Sequence, residues 1–290
     1  MKSSSRSDVG TASETSVASR SRRHFLNLVG AGVASTALGA VALGPVGTAH
    51  AGTRPLVKAI AFDGLAVFDP RPIVALAEQL FPGRGADITN VWRTHQFEYT
   101  WLRTITSSYV DFWQVTDEAL TFTAKLLKLE LTPEKRARLM HSYLELKAWP
   151  DAAPVLTHLK ALGVSLTLLS DFTVPMLDAS VKNSGLDGVF ESYLSTDRVQ
   201  AYKPDPHAYR MALDQSGLTL DEIVFVAFAG WDAAGAKRFG YPTFWANRLG
   251  LPAEELGAAA DGVGRTFGDL LTFINGRTSE IGRCCSSQND

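Results

Sequence analysis

The sequence predicts an α/β protein, a doubly wound parallel sheet with a helical cap inserted after the first strand. Residues 57–62 form a short apolar run with β-branched members, which reads as a buried strand. Residues 150–246 alternate short apolar runs with helical stretches, the rhythm of a parallel sheet covered on both faces. Between these regions, residues 72–147 carry helical periodicity alone.

Taken in order, the insertion reads as helices over 72–80, 88–105, 109–129 and 133–147. Thr132 ahead of Pro133 supplies a capping hydroxyl and a first-turn proline. After Trp149-Pro150 come a helix over 153–162, a strand over 164–169, a helix over 175–184 and a weaker strand over 189–194. A helix over 207–215, a clear strand over 223–228, a helix over 232–239 and a short strand over 242–246 complete the pattern. The expected organisation is a core over 52–70 and 150–275, a cap over 71–149, and a disordered tail over 276–290. A cap after the first strand sits over the carboxyl edge of the sheet, where ligands bind in such folds.

The 290 residues are 46% hydrophobic with a net charge of −2, which gives no reason to expect a nucleic-acid partner. Five of the 28 basic residues and two of the 30 acidic ones fall in the first 51, so the leader is basic and the remainder acidic. Arg22-Arg23-His24-Phe25-Leu26 precedes an uncharged stretch ending Ala49-His50-Ala51, with small residues at the −3 and −1 positions. This is the pattern of a signal peptide over 1–51. The paired arginines resemble the twin-arginine signal, which implies the twin-arginine translocase as a partner and a periplasmic or secreted destination. A retained membrane anchor is the competing reading, though Pro45 and several glycines make the stretch a weak span. Both cysteines, Cys284 and Cys285, lie in the tail, so the core has neither a disulfide framework nor a cysteine nucleophile.

Chemistry gathers at the predicted strand ends. Asp63 ends the first strand, Ser170 and Asp171 end the second, Lys203 follows the third, and Asp232 follows the fourth. Singly, each has an ordinary explanation as a turn cap, a loop hydroxyl or a solvated charge. Together they bring acids, a hydroxyl and an amine to one sheet edge, which is the form of an active site.

Phe62-Asp63, Leu169-Ser170 and Tyr202-Lys203-Pro204-Asp205 resemble the first three motifs of the haloacid dehalogenase superfamily. Phe81-Pro-Gly-Arg-Gly, Trp92-Arg93 and Phe97-Glu-Tyr-Thr-Trp-Leu-Arg103 resemble the cap of its type II branch, the L-2-haloacid dehalogenases. The resemblance runs from about Pro55 to about Leu271 and implies the Rossmann-like fold of that superfamily. It implies an enzyme acting on short 2-haloalkanoic acids, without a cofactor and commonly as a homodimer through the cap.

By that resemblance Asp63 displaces halide from C2, leaving an aspartyl ester that water hydrolyses to a 2-hydroxy acid. Arg93 would grip the substrate carboxylate and help the halide depart. Lys203 would hold and aim Asp63, and Ser170 would bond the carboxylate end of the substrate. Phe112 and Trp231 would line the halide pocket, against the plainer reading of both as core aromatics. Tyr209 matches a family tyrosine that bonds near the lysine.

A magnesium phosphatase is the natural competitor within the superfamily. Its leaving-group acid would stand at position 65 and its metal carboxylate at the end of the fourth strand. This chain has Leu65 and Ala227-Phe228-Ala229, so no metal site is expected. The chain also departs from the dehalogenases. The Tyr-Gly-Thr-Leu expected after the nucleophile is Leu65-Ala66-Val67, and the usual Asn after Ser170 is Asp171, which puts a carboxyl near the departing halide. The family's Ser-x-Asn is Ala227-Phe228-Ala229, leaving Asp232, aided by Asp171, as the acid for ester hydrolysis. A hydrolase of the same fold acting on another small carboxylate or phosphate ester, and a non-catalytic anion-binding relative, stand as alternatives.

Overall fold

Ala59–Phe62 form strand β1, and all four residues are buried. An uninterrupted apolar strand belongs where both faces are covered. It lies at the centre of the sheet in the computed structural model, which describes residues 57–278. All of these residues belong to one compact unit. The other strands are β2 (Ser165–Ser170), β3 (Ser192–Ser195), β4 (Ile223–Ala227), β5 (Thr243–Ala246) and β6 (Gly262–Gly264). They run in the order β3-β2-β1-β4-β5-β6, and every pairing is parallel.

Alternation along β1 assigns its side chains to two layers. Ile60 and Phe62 join the apolar cluster that includes residues of α6 (Ala152–Ala161), α7 (Val174–Asn183) and α10 (Phe267–Thr278). Ala59 and Ala61 face the second cluster, built with α8 (Pro206–Ser216) and α9 (Gly230–Phe239). Helices therefore cover both faces, as the alternation in sequence requires.

The insertion comprises α2 (Arg71–Leu80), α3 (Gly85–Ile105), α4 (Phe112–Leu126) and α5 (Pro133–His141), preceded by the one-turn α1 (Gly64–Val67). Its two ends are stitched together where Asp69 N donates to Lys147 O at 2.8 Å and Trp149 N to Val67 O at 2.9 Å. α3 packs along α4, fixed by the bond from Trp92 Nε1 to the Thr116 carbonyl at 2.8 Å. Thr132 caps α5 by accepting from Lys135 N, with Pro133 in the first turn, as its sequence predicts.

Several boundaries differ from expectation for local reasons. α4 starts at Phe112 rather than 109, because the Asp111 side chain accepts from Gln114 N and caps the helix there. α5 ends at His141 and passes into a 3-10 turn over Ser142–Leu144, after which Leu146 is buried in the core. The short, glycine-bounded β6 shows no alternation, and sequence analysis missed it. α10 continues to Thr278, so the expected tail from 276 begins inside a helix. The signal peptide expected over 1–51, Cys284, Cys285 and the remainder of the expected tail lie outside the described residues.

Candidate active site

Register decides what the carboxyl edge presents. Phe62 pairs with Leu168 on one side and Val226 on the other, so Asp63 emerges between the ends of β2 and β4. Asp63 is the N-cap of α1: its Oδ2 accepts from Leu65 N at 3.0 Å. A β-carbon on Gly64 would meet Ser170 Oγ at 2.8 Å, so glycine there lets the serine hydroxyl stand against the turn after β1.

Lys203 reaches this point from the segment after β3. Its Nζ donates to Asp63 Oδ1 at 2.6 Å and to Asp232 Oδ2 at 2.8 Å, with the side chain 1% exposed. Burial works to lower the Lys203 pKa, but Asp232, Asp63 and Asp171 together raise it, so the ammonium is permanent at neutral pH. A buried ammonium between two carboxylates is a compensated charge, and removing either partner would be costly.

Asp232, in the first turn of α9, has both oxygens engaged. Oδ2 meets Lys203, and Oδ1 accepts from Tyr209 Oη at 2.8 Å. A β-carbon on Gly235 would come within 2.5 Å of that phenol oxygen, so α9 can approach Tyr209 only through glycine. Tyr209 encloses neither chamber described below. Its oxygen is turned to Asp232, the partner of Lys203, and it positions that carboxylate.

Above Asp63 lies an inner chamber of about 20 Å³, enclosed by Asp63, Ser170, Asp171, Trp231, Asp232 and Ala229 together with a set of apolar side chains. Ser170 Oγ accepts from Phe172 N at 3.2 Å, which leaves its own proton for donation. Asp171 is 5% exposed, and burial, acting against the opposing charge of Lys203, pushes its carboxyl up to about 7. The charge expected beside a departing halide is thus about half removed by protonation at neutral pH and removed further below it.

A second, outer cavity of about 180 Å³ shares a wall of Leu65, Phe97, Phe112, Phe172 and Phe228 with the inner one. Arg93, Trp92 and Gln96 reach it from α3. The Arg93 guanidinium lies 5.8 Å from the Phe97 ring centre and 5.5 Å from that of Phe228. It makes no hydrogen bond or ion pair among the described residues. Burial lowers its pKa, while Tyr143 and Asp63 oppose that shift. A half-buried, unpaired guanidinium at the wall of an apolar cavity is a receptor for an anion.

The structure thus brings Asp63, Ser170, Asp171, Lys203 and Asp232 together at one edge, with Arg93, Phe112 and Trp231 in the surrounding walls. Sequence reasoning missed Phe228, which it read as a lost metal position, and Gln96, which donates to Thr116 Oγ1 and accepts from Tyr143 Oη. The helical spacing of Gln96 and Phe97, three and four residues after Arg93, was the available signal.

Residues 32–240 match the family of haloacid dehalogenase-like hydrolases. The chain is 42% identical over 206 residues to the (S)-2-haloacid dehalogenase of Pseudomonas sp. strain YL, covering 71% of this chain and 89% of that one. It is 45% identical over 167 residues to (S)-2-haloacid dehalogenase 4A of Burkholderia cepacia, covering 58% and 72%. Among solved structures it is similar to the L-2-haloacid dehalogenase RSc1362, with a TM-score of 0.75 and 39% identity over 76% of this chain and all of that one. It is also similar to the Xanthobacter autotrophicus L-2-haloacid dehalogenase with chloropropionic acid covalently bound, with a TM-score of 0.70 and 33% identity, covering 76% and 99%.

Proposed function

The chain belongs to the haloacid dehalogenase-like hydrolases, and from that premise we infer that it is a hydrolase of carbon–halide bonds, an (S)-2-haloacid dehalogenase acting on short 2-haloalkanoic acids. The observation that carries the reading is the pairing of a held carboxylate, Asp63, with an unpaired guanidinium, Arg93, on either side of one aromatic wall.

The residues divide the work as follows. Arg93 takes the substrate carboxylate with a forked, permanent cation. Lys203 and the Leu65 amide hold Asp63 while an oxygen of its carboxylate bonds to C2. The carbon–halogen bond breaks with its electron pair, and the halide departs against Phe112, Trp231 and Phe228, where few waters remain to hold it back. The resulting ester on Asp63 is opened by water, giving a 2-hydroxy acid. Splitting one displacement into two steps is the advantage of a carboxylate nucleophile.

Halide release from L- and D-2-chloropropionate tests the reading directly. Release from the L form, abolished in Asp63→Asn without loss of the folded state, is expected. No release from either enantiomer would overturn it.

The paired Arg22 and Arg23, the apolar stretch and Ala49-His50-Ala51 support export of the folded protein through the twin-arginine translocase, with Gly52 as the mature N-terminus. Replacing both arginines with lysine should hold precursor in the cytoplasm, and normal export of that variant would reject the assignment. Leu102, Ile105 and Leu126, exposed at the ends of α3 and α4, support a homodimer through the insertion, which light scattering would detect.

A further inference from the structure

Opening the Asp63 ester requires a water and a base with an oxygen to spare for it. Both oxygens of Asp232 already accept hydrogen bonds. Oδ2 is bonded to Lys203 and Oδ1 to Tyr209, and the residue is 1% exposed. Asp171 is arranged differently. Its Oδ1 accepts from Lys203 N at 3.2 Å, while its Oδ2 makes no hydrogen bond among the described residues. Asp171 and Asp63 enclose the same inner chamber, whose roughly 20 Å³ accommodates a single water.

We propose that Asp171 is the base that activates water for hydrolysis of the Asp63 ester, with Asp232 serving to hold Lys203. The proposal rests on the dehalogenase reading of the site. As the water oxygen bonds to Cγ of Asp63, one hydrogen passes to Asp171 Oδ2. When the bond from Cγ to the C2 oxygen breaks, that hydrogen goes to the departing oxygen, and the 2-hydroxy acid is complete. The second hydrogen leaves to solvent as Asp63 returns to its pairing with Lys203. No oxidant or metal enters the balance.

The titratable groups facing Asp171 come from four neighbouring elements. Asp63 lies at the end of β1, Tyr202 and Lys203 in the segment after β3, Tyr209 on α8 and Asp232 on α9. Tyr202 and Tyr209 are themselves pushed upward by burial and do not titrate near neutrality. Burial outweighs the pull of Lys203 on Asp171, so its carboxyl gives up its proton around neutral pH, a suitable strength for a base at that pH.

The test is rapid mixing of the full-length enzyme and its Asp171→Asn variant with excess L-2-chloropropionate, following halide and the mass of the Asp63 peptide. In the variant we expect a burst of about one equivalent of halide, a persistent adduct on Asp63, and ester breakdown slowed about a hundredfold or more. In the unmodified enzyme, ester breakdown should accelerate as pH rises through neutrality. The near-isosteric change keeps an acceptor for Lys203 N, and the burst itself reports a folded site. Turnover of Asp171→Asn at the original rate, loss of its burst, or ester breakdown in the unmodified enzyme that ignores pH would each overturn the assignment while leaving the dehalogenase reading intact. Absence of halide from the unmodified enzyme would instead remove that reading, and this proposal with it.

Discussion

The guanidinium of Arg93 stands 5.5 Å from the ring centre of Phe228, and with Phe97 that ring is its neighbour in place of a carboxylate. Ring faces attract a cation weakly, by about 0.5–2 kcal/mol, and leave its hydrogen-bond donors free. Phe228 therefore holds the charge near the cavity without satisfying it, and a substrate carboxylate completes the set.

Arg93→Lys should accordingly lower kcat/KM for L-2-chloropropionate by about ten- to a hundredfold, the worth of one strong charged hydrogen bond. A lysine keeps the charge but not the two-pronged grip. Steady-state halide release measures it, and a variant near the original rate would show that Arg93 does not hold the substrate.

Halide release is expected to be unchanged by a chelator. Lys203 Nζ already bonds one oxygen each of Asp63 and Asp232, and Leu65 and Phe228 offer no carboxylate where a phosphatase would place one. Activity lost in chelator and regained with magnesium would return the metal-dependent reading to first place.

How much of this site is legible in the sequence follows from how each residue gets there. Asp63, Ser170, Asp171 and Asp232 stand at or just after ends of strands whose apolar runs are plain, so topology alone delivers them to one edge. Lys203 arrives the same way, although it meets Asp63 across 140 positions of chain. Arg93 is legible through the Trp92-Arg93 motif, because nothing in helical periodicity says which face of α3 meets the sheet. What could not be read is how the carboxylates share their partners. Whether Asp232 keeps a free oxygen depends on Tyr209 reaching it from α8, a contact set by the packing of α9 through Gly235. β6 was missed because a three-residue edge strand with glycine at both ends has no pattern to detect.

Stability should carry the mark of Asp171. An aspartate in the unfolded chain gives up its proton near pH 4, whereas burial delays this to about 7 in the folded protein. Between those values the folded state binds the extra proton, so the free energy of unfolding falls as pH rises, and above about pH 7 the loss is complete. Lys203 is shifted upward and adds no slope in this window. Asp171→Asn, which cannot ionise, should match the original protein near pH 4 and exceed it in stability above neutrality. Urea melts of both proteins over that range measure the gap, and a gap independent of pH would mean that Asp171 ionises freely in the fold.

Gly235 offers a test of the tyrosine that touches no substrate. A methyl group there would sit 2.5 Å from Tyr209 Oη and 2.9 Å from Pro204 Cβ, closer than such atoms pack. Either α9 withdraws from α8 or the phenol swings away, and both movements break its bond to Asp232 Oδ1. Overpacking of this kind costs about 1–3 kcal/mol, so Gly235→Ala should lower the denaturation midpoint by a corresponding amount. Freed of Tyr209, Asp232 would hold Lys203 less firmly, and Lys203 would aim Asp63 less well. The attack step should therefore slow, lowering the rate of halide release in a single turnover, while KM for 2-chloropropionate, governed by the distant Arg93, stays near its original value. Tyr209→Phe, which removes the same bond without the clash, should slow the attack with a smaller loss of stability. A Gly235→Ala variant that is less stable yet attacks at full rate would show that Tyr209 packs beside Asp232 without positioning it.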